Sequence, residues 1–131
     1  MSTRSERLAA FMADGVRLPF VWRTRDCCAW PCAWVAAERG ISPLVGVSAR
    51  YRDELSCARL LRGEGGLLAL ARRVMSAAGL EETGVPVLGD VGLIDTAAGT
   101  MGALCLGDKW ALKSLEGLAI IPATPLLAWR I

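Results

Sequence analysis

Leu8, Phe11 and Met12 recur at helical spacing, so residues 3–13 read as a first helix that stops at Asp14-Gly15. Leu18-Pro19-Phe20-Val21-Trp22 follows as an extended apolar segment. Asp26 is a good N-cap for a second helix running to about Arg39 and closed by Gly40. Along it Cys27, Trp30 and Trp34 fall close to one face, while Cys28, Cys32 and Val35 share another. Pro31 sits in the second turn, where it removes one backbone bond and kinks the helix start. Ser48 can cap a third helix over 49–62, before Gly63-Glu64-Gly65-Gly66. A fourth spans Leu67 to Ala78, with Leu67, Leu68, Ala71, Val74, Met75 and Ala78 in one apolar stripe and Gly79 as its cap.

From about Pro86 the period changes to that of strands. Gly89-Asp90 precedes Val91–Asp95, Gly99 separates that run from Met101–Leu106, and Gly107-Asp108 is a hairpin signal before Lys109–Leu112. Gly117 precedes Leu118–Ile121, and Pro122 and Pro125 break the pattern. Residues 126–131 form an apolar tail, either a last strand or a docking segment that adds to a neighbour's sheet. Helices first and an antiparallel sheet afterwards predict one α+β domain over residues 1–131.

Composition adds a question of partners. Fifty-three per cent of the 131 residues are apolar and five are tryptophan, with a mean hydropathy of +0.39. No apolar run approaches the roughly 18–20 residues that cross a bilayer, which argues against a membrane anchor. The first residues do not form a secretory apolar run. The surplus is therefore buried in a core or against another protein, where aromatic side chains are enriched. Trp22, Trp129, Arg130 and Ile131 are the candidate contacts. Net charge is +2, split between twelve arginines against seven acids in residues 1–73 and three basic residues against six acids in 74–131. Neither half carries a phosphate-tracking stripe, so nucleic acid is not an expected partner. Gly63–Gly66 lacks the Lys-Ser/Thr pair of a phosphate cradle.

Chemistry turns on the cysteines. Cys27, Cys28, Cys32, Cys57 and Cys105 are odd in number and two are adjacent, which suits reduced thiols in a cytoplasm. Without a Cys-x-x-Cys pair or any histidine, no metal or other cofactor is expected. Cys27 opens a helix, where backbone N–H groups favour a thiolate. Thiol hydrolysis also needs a positioned proton carrier, usually histidine, and none of the residues is one. Cys27 is either a reactive thiolate or a small buried apolar side chain.

Asp26-Cys27 at a helix start, Gly89-Asp90-Val91, and Met101-Gly102-Ala103-Leu104-Cys105-Leu106-Gly107 together resemble the NlpC-type branch of the papain-like fold. The resemblance implies that Cys27 takes the nucleophile's position and Met101 the position of the base. Methionine cannot exchange a proton, so the implied site is degenerate, its groove filled by side chains such as Met101 and Trp30.

Over residues 15–131 the chain further resembles a small family encoded in tail gene clusters of tailed bacteriophages and prophages. The stretches that carry this are Pro19-Phe20-Val21-Trp22, Asp26-Cys27-Cys28, Ala58-Arg59-Leu60-Leu61, Gly89-Asp90-Val91, Cys105-Leu106-Gly107-Asp108 and Ala128-Trp129-Arg130. It implies a pseudoenzyme made in the host bacterial cytoplasm that acts in the virion as a tail-tip or baseplate part. Its implied partners are hub and distal-tail proteins, with transient peptidoglycan contact. The alternative is a peptidoglycan amidase or peptidase with Cys27 as nucleophile and a base that is not histidine or comes from a partner.

Overall fold

The Thr3 hydroxyl accepts the Glu6 N–H at 3.1 Å and so opens the first helix, α1, Arg4–Arg17. The computed structural model, which describes residues 1–131, continues with α2 (Ala29–Arg39), α3 (Glu54–Gly63) and α4 (Leu67–Ala77). The strands β1 (Val91–Thr96), β2 (Gly99–Cys105), β3 (Trp110–Ser114), β4 (Gly117–Ile121) and β5 (Leu127–Trp129) follow. They make one antiparallel sheet in the order β4-β3-β2-β1-β5, and the fold is α+β.

Three helix boundaries differ from expectation, and α2 is the first: it starts at Ala29 with Cys28 at its cap position, while Asp26, just upstream, accepts the N–H groups of Cys28 and Ala29. α1 does not stop at Asp14-Gly15. Gly15 lies against Trp30, and a Cβ there would meet the indole at 2.8 Å, so this glycine serves close packing within the helix. The helix over 49–62 is interrupted: a 3₁₀ turn at Ser48–Arg50 ends where Tyr51 becomes extended, at φ −142°. α3 then starts afresh at Asp53, whose carboxylate accepts the Ser56 N–H at 2.8 Å while Ser56 Oγ accepts the Asp53 N–H at 3.0 Å. The Tyr51 hydroxyl is drawn to Asp26 instead of staying on a helix.

The sheet's two faces carry different cores. Val91, Leu93, Leu104, Ala111 and Trp129 face the helices, where they meet Leu8, Trp30, Trp34, Val35 and Met75. Ile94, Ala103, Cys105, Trp110, Leu112 and Ala128 cluster on the back. The residues between β4 and β5 return along this back face, where Ala123 packs on the cluster. Trp34 Nε1 donates to the Gly89 carbonyl at 2.7 Å, tying α2 to the approach of β1.

The apolar tail is a strand of the chain's own sheet. β5 pairs antiparallel with β1, and its outer side is covered by residues 81–83 through bonds from Thr83 N to Ala128 O and from Arg130 N to Glu81 O, both 2.9 Å. The Ile131 N–H bonds to buried Asp90 at 3.1 Å. β4 is the edge left without a partner strand.

Lys113 is 1% exposed on β3 and donates from Nζ to the carbonyls of Gly15 and Leu18, each at 2.5 Å. A cation at the C-terminal end of α1 satisfies orphan carbonyls and complements the helix dipole. Burial lowers its pKa from the ordinary lysine value, with nearby Arg25 adding to the effect. Lys113→Met keeps the stem's bulk and removes the charge. It should destabilise the protein by about 2 kcal/mol, measured by urea unfolding.

Candidate functional site

The chain enters the site through a strained turn. Arg23 has φ +76°, a left-handed conformation that a non-glycine residue adopts at a cost of about 1–3 kcal/mol. Its side chain is anchored by a 2.7 Å bond from Nε to the Ser48 carbonyl. Its own N–H donates to Asp26 Oδ2 at 2.8 Å, while Oδ1 accepts from Cys28 N at 3.0 Å and Ala29 N at 2.7 Å. The Tyr51 hydroxyl donates to Oδ2 at 2.5 Å. Asp26, 2% exposed, therefore fixes the start of α2 with four bonds. A carboxylate so occupied has little freedom to serve as a base for the neighbouring thiol.

Cys27 and Cys28 precede the first turn of α2, next to a cavity of about 110 Å³ between helices and sheet. Cys32, Cys57, Leu70, Leu93 and Thr100 also line it, and apart from Asp26, Tyr51 and Thr100 its walls are apolar or thiol. Cys105 is elsewhere, buried on the back of the sheet. Four of the five cysteines thus share one wall system, yet no three cysteines or carboxylates come together in a way that could hold a metal ion.

The thiols are not equivalent. The neighbouring Cys28 thiol and the backbone N–H groups of Cys27 and Cys28 favour the Cys27 thiolate and lower its pKa against the opposing effects of burial and Asp26. The Cys27 sulfur, with burial, pushes Cys28 well up. Burial raises Cys32 to about 12 and Cys57 to about 11. Cys27 is the one pocket thiol tuned toward the thiolate. Its alkylation by iodoacetamide should accelerate at a lower pH than that of a free cysteine, with Cys28 and Cys32 lagging; peptide mapping across pH 6–10 measures this.

Met101 is not at the base position that its place in the motif implied. Alternation along β2 puts Thr100, Gly102 and Leu104 toward the helices and Met101 with Ala103 and Cys105 on the back, where its sulfur receives the Thr96 hydroxyl at 3.6 Å. Gly102 is the residue set against the thiols: a Cβ there would lie 2.9 Å from the Cys27 carbonyl oxygen and 3.1 Å from Pro31 Cγ. Gly102→Ala should push α2 off β2 and cost about 1–3 kcal/mol in thermal or urea unfolding. Trp30 does not fill the cavity either; it stacks on Phe11 with ring centroids 5.3 Å apart, in the core beside α1.

The proposed contact residues are scattered. Trp22 is half-buried, edge-on to Phe20 at 5.1 Å and to Tyr51 at 6.4 Å. Trp129, 3% exposed, lies in the core and its indole is not available on the surface. Arg130 is exposed and Ile131 half-buried.

Residues 1–131 match the family described as a domain of unknown function, DUF6950. The chain belongs to that family. No curated protein and no solved structure matches it. No helix is long and apolar enough to cross a membrane.

Proposed function

We propose that this domain is a catalytically silent relative of the NlpC-type papain-like fold that serves as a structural part of a bacteriophage tail tip or baseplate. It acts in assembly through contacts with hub and distal-tail proteins. The observation that carries the silent half of this reading is the company of Cys27. The residues that face it from β2 are Thr100 and Gly102, and the one carboxylate beside it is committed to four hydrogen bonds. No group in that set can take the thiol's proton and return it to a leaving group.

The structural half rests on the sequence resemblance and on surface left over after folding. With Trp129 and the tail built into the sheet, the contact is best assigned to the free edge of β4 and to the apolar side chains near it, Leu115 (72% exposed) and Ile120 (52% exposed). An edge strand of this kind recruits a partner strand readily. Co-purification with tail proteins from a phage lysate, followed by cryo-electron microscopy of the tail, tests this reading. A chain missing from both particles and assembly intermediates would refute it.

The acidified thiol favours a second reading, a cysteine peptidase or amidase acting on peptidoglycan with a base supplied by a partner. Cell-wall lysis by the reconstituted tail complex that disappears in Cys27→Ala would establish it in place of the first.

A further inference from the structure

Three features meet at the cavity. Its walls are mostly apolar, its volume is about 110 Å³, and one of its thiols is tuned away from the others. A cavity of about 150 Å³ accommodates a benzene molecule, so the roughly 110 Å³ of this one, which opens to solvent on one side, suits an aliphatic group of about four carbons. No group of this chain beside Cys27 can both take up a proton and return it to a departing amine or alkoxide, so the thiol acting alone is unsuited to amides and oxygen esters.

A thioester is different, because its leaving group is itself a thiolate of basicity similar to that of the attacking sulfur. We propose that Cys27 is an acylation site that accepts a short aliphatic acyl group from a soluble acyl thioester, the chain lying in the cavity between Leu70 and Leu93. The Cys27 sulfur attacks the thioester carbonyl carbon and a new sulfur–carbon bond forms. The bond from that carbon to the donor sulfur breaks, and the electron pair leaves on the donor as a thiolate. Charge and atoms balance without a proton transfer.

The adduct then persists, since hydrolysing it requires a base to activate water and Asp26 is fully engaged. This persistence rests on the silent-domain reading given above; the acyl pocket itself does not.

The test incubates the purified full chain with butyryl-coenzyme A and, separately, with palmitoyl-coenzyme A, followed by intact-mass and peptide mapping. A single butyryl group on Cys27, released by hydroxylamine and absent in Cys27→Ser, is expected, with palmitoyl transfer at least tenfold slower. Ala71→Leu fills the cavity from α4 and should slow butyrylation at least tenfold while leaving iodoacetamide alkylation of Cys27 unchanged. No adduct, an adduct on another cysteine, equal transfer of both chains, or an Ala71→Leu variant that is folded and fully active overturns the proposal. Release of coenzyme A far beyond one equivalent supports the pocket but overturns the silent reading of the domain. Absence of the chain from virions bears on the tail assignment alone.

Discussion

Replacing Asp26 with alanine is expected to destabilise the domain by about 3–5 kcal/mol, the largest single-residue effect outside the hydrophobic core. The carboxylate, itself 2% exposed, accepts two N–H groups at the start of α2, a third from strained Arg23 and the Tyr51 hydroxyl, and the bonds from Ala29 and Tyr51 are buried. Truncation leaves four donors without partners, and each buried orphan costs about 1–3 kcal/mol before the site relaxes. Tyr51→Phe removes one of the four bonds and should cost about 1–2 kcal/mol. Urea midpoints compared for the two variants separate cap from clasp: a loss for Asp26→Ala no larger than that for Tyr51→Phe would mean that the helix start holds itself. Asp26→Asn keeps an oxygen for the Cys28 and Ala29 N–H groups but removes the charge that raises the Cys27 pKa. In that variant alkylation of Cys27 should begin at a still lower pH, a readout that mere loosening of the helix would move the other way.

The division between what the chain announces and what it conceals follows the range of the interactions. Asp26 was legible as the anchor of the start of α2, though Cys28 and not Asp26 holds the cap position, because three of its four bonds are to residues within three positions. Tyr51 is 25 residues away, and with it went the interruption before α3. The glycine-punctuated strands were legible from their period of two, and their observed limits lie within two residues of those expected. Facing was less secure. A shift of one residue exchanges the two sides of a strand, and the motif that put Met101 opposite Cys27 was off by that single step. Sequence also left residues 126–131 open between strand and docking segment, since pairing with β1 is a contact across some 35 residues that no local signal encodes. Lys113 was missed altogether. A lone lysine at an inward-facing position of an apolar strand, Trp110-Ala111-Leu112-Lys113, is the signal that could have revealed it.

The four cysteines of the cavity set the domain's behaviour in alkali. An ordinary thiol titrates at about 9, whereas burial places Cys32 at about 12 and Cys57 at about 11, and the neighbouring Cys27 sulfur together with burial raises Cys28 too. A folded pKa above the unfolded one means that the unfolded chain releases its protons first. The stability these thiols contribute is therefore whole below pH 9 and drains away as pH climbs toward 11–12. For Cys32 alone the full interval corresponds to roughly 4 kcal/mol, and about 2 kcal/mol of it should be gone by pH 10.5. Cys27 works in the opposite sense, since its lowered pKa favours the folded state once it has ionised, and so does Lys113, whose depressed pKa relieves a cost as unfolded lysines lose their charge. Tyr51, raised by burial and its bond to Asp26, reinforces the loss. Urea unfolding under reducing conditions at pH 8 and pH 10.5 should show the net decline, and Cys32→Ala should flatten it even though the variant starts from lower stability at pH 8. Equal declines in the parent chain and in Cys32→Ala would mean that the Cys32 thiol reaches solvent in the folded state, and its burial in the apolar cavity wall would have to be abandoned.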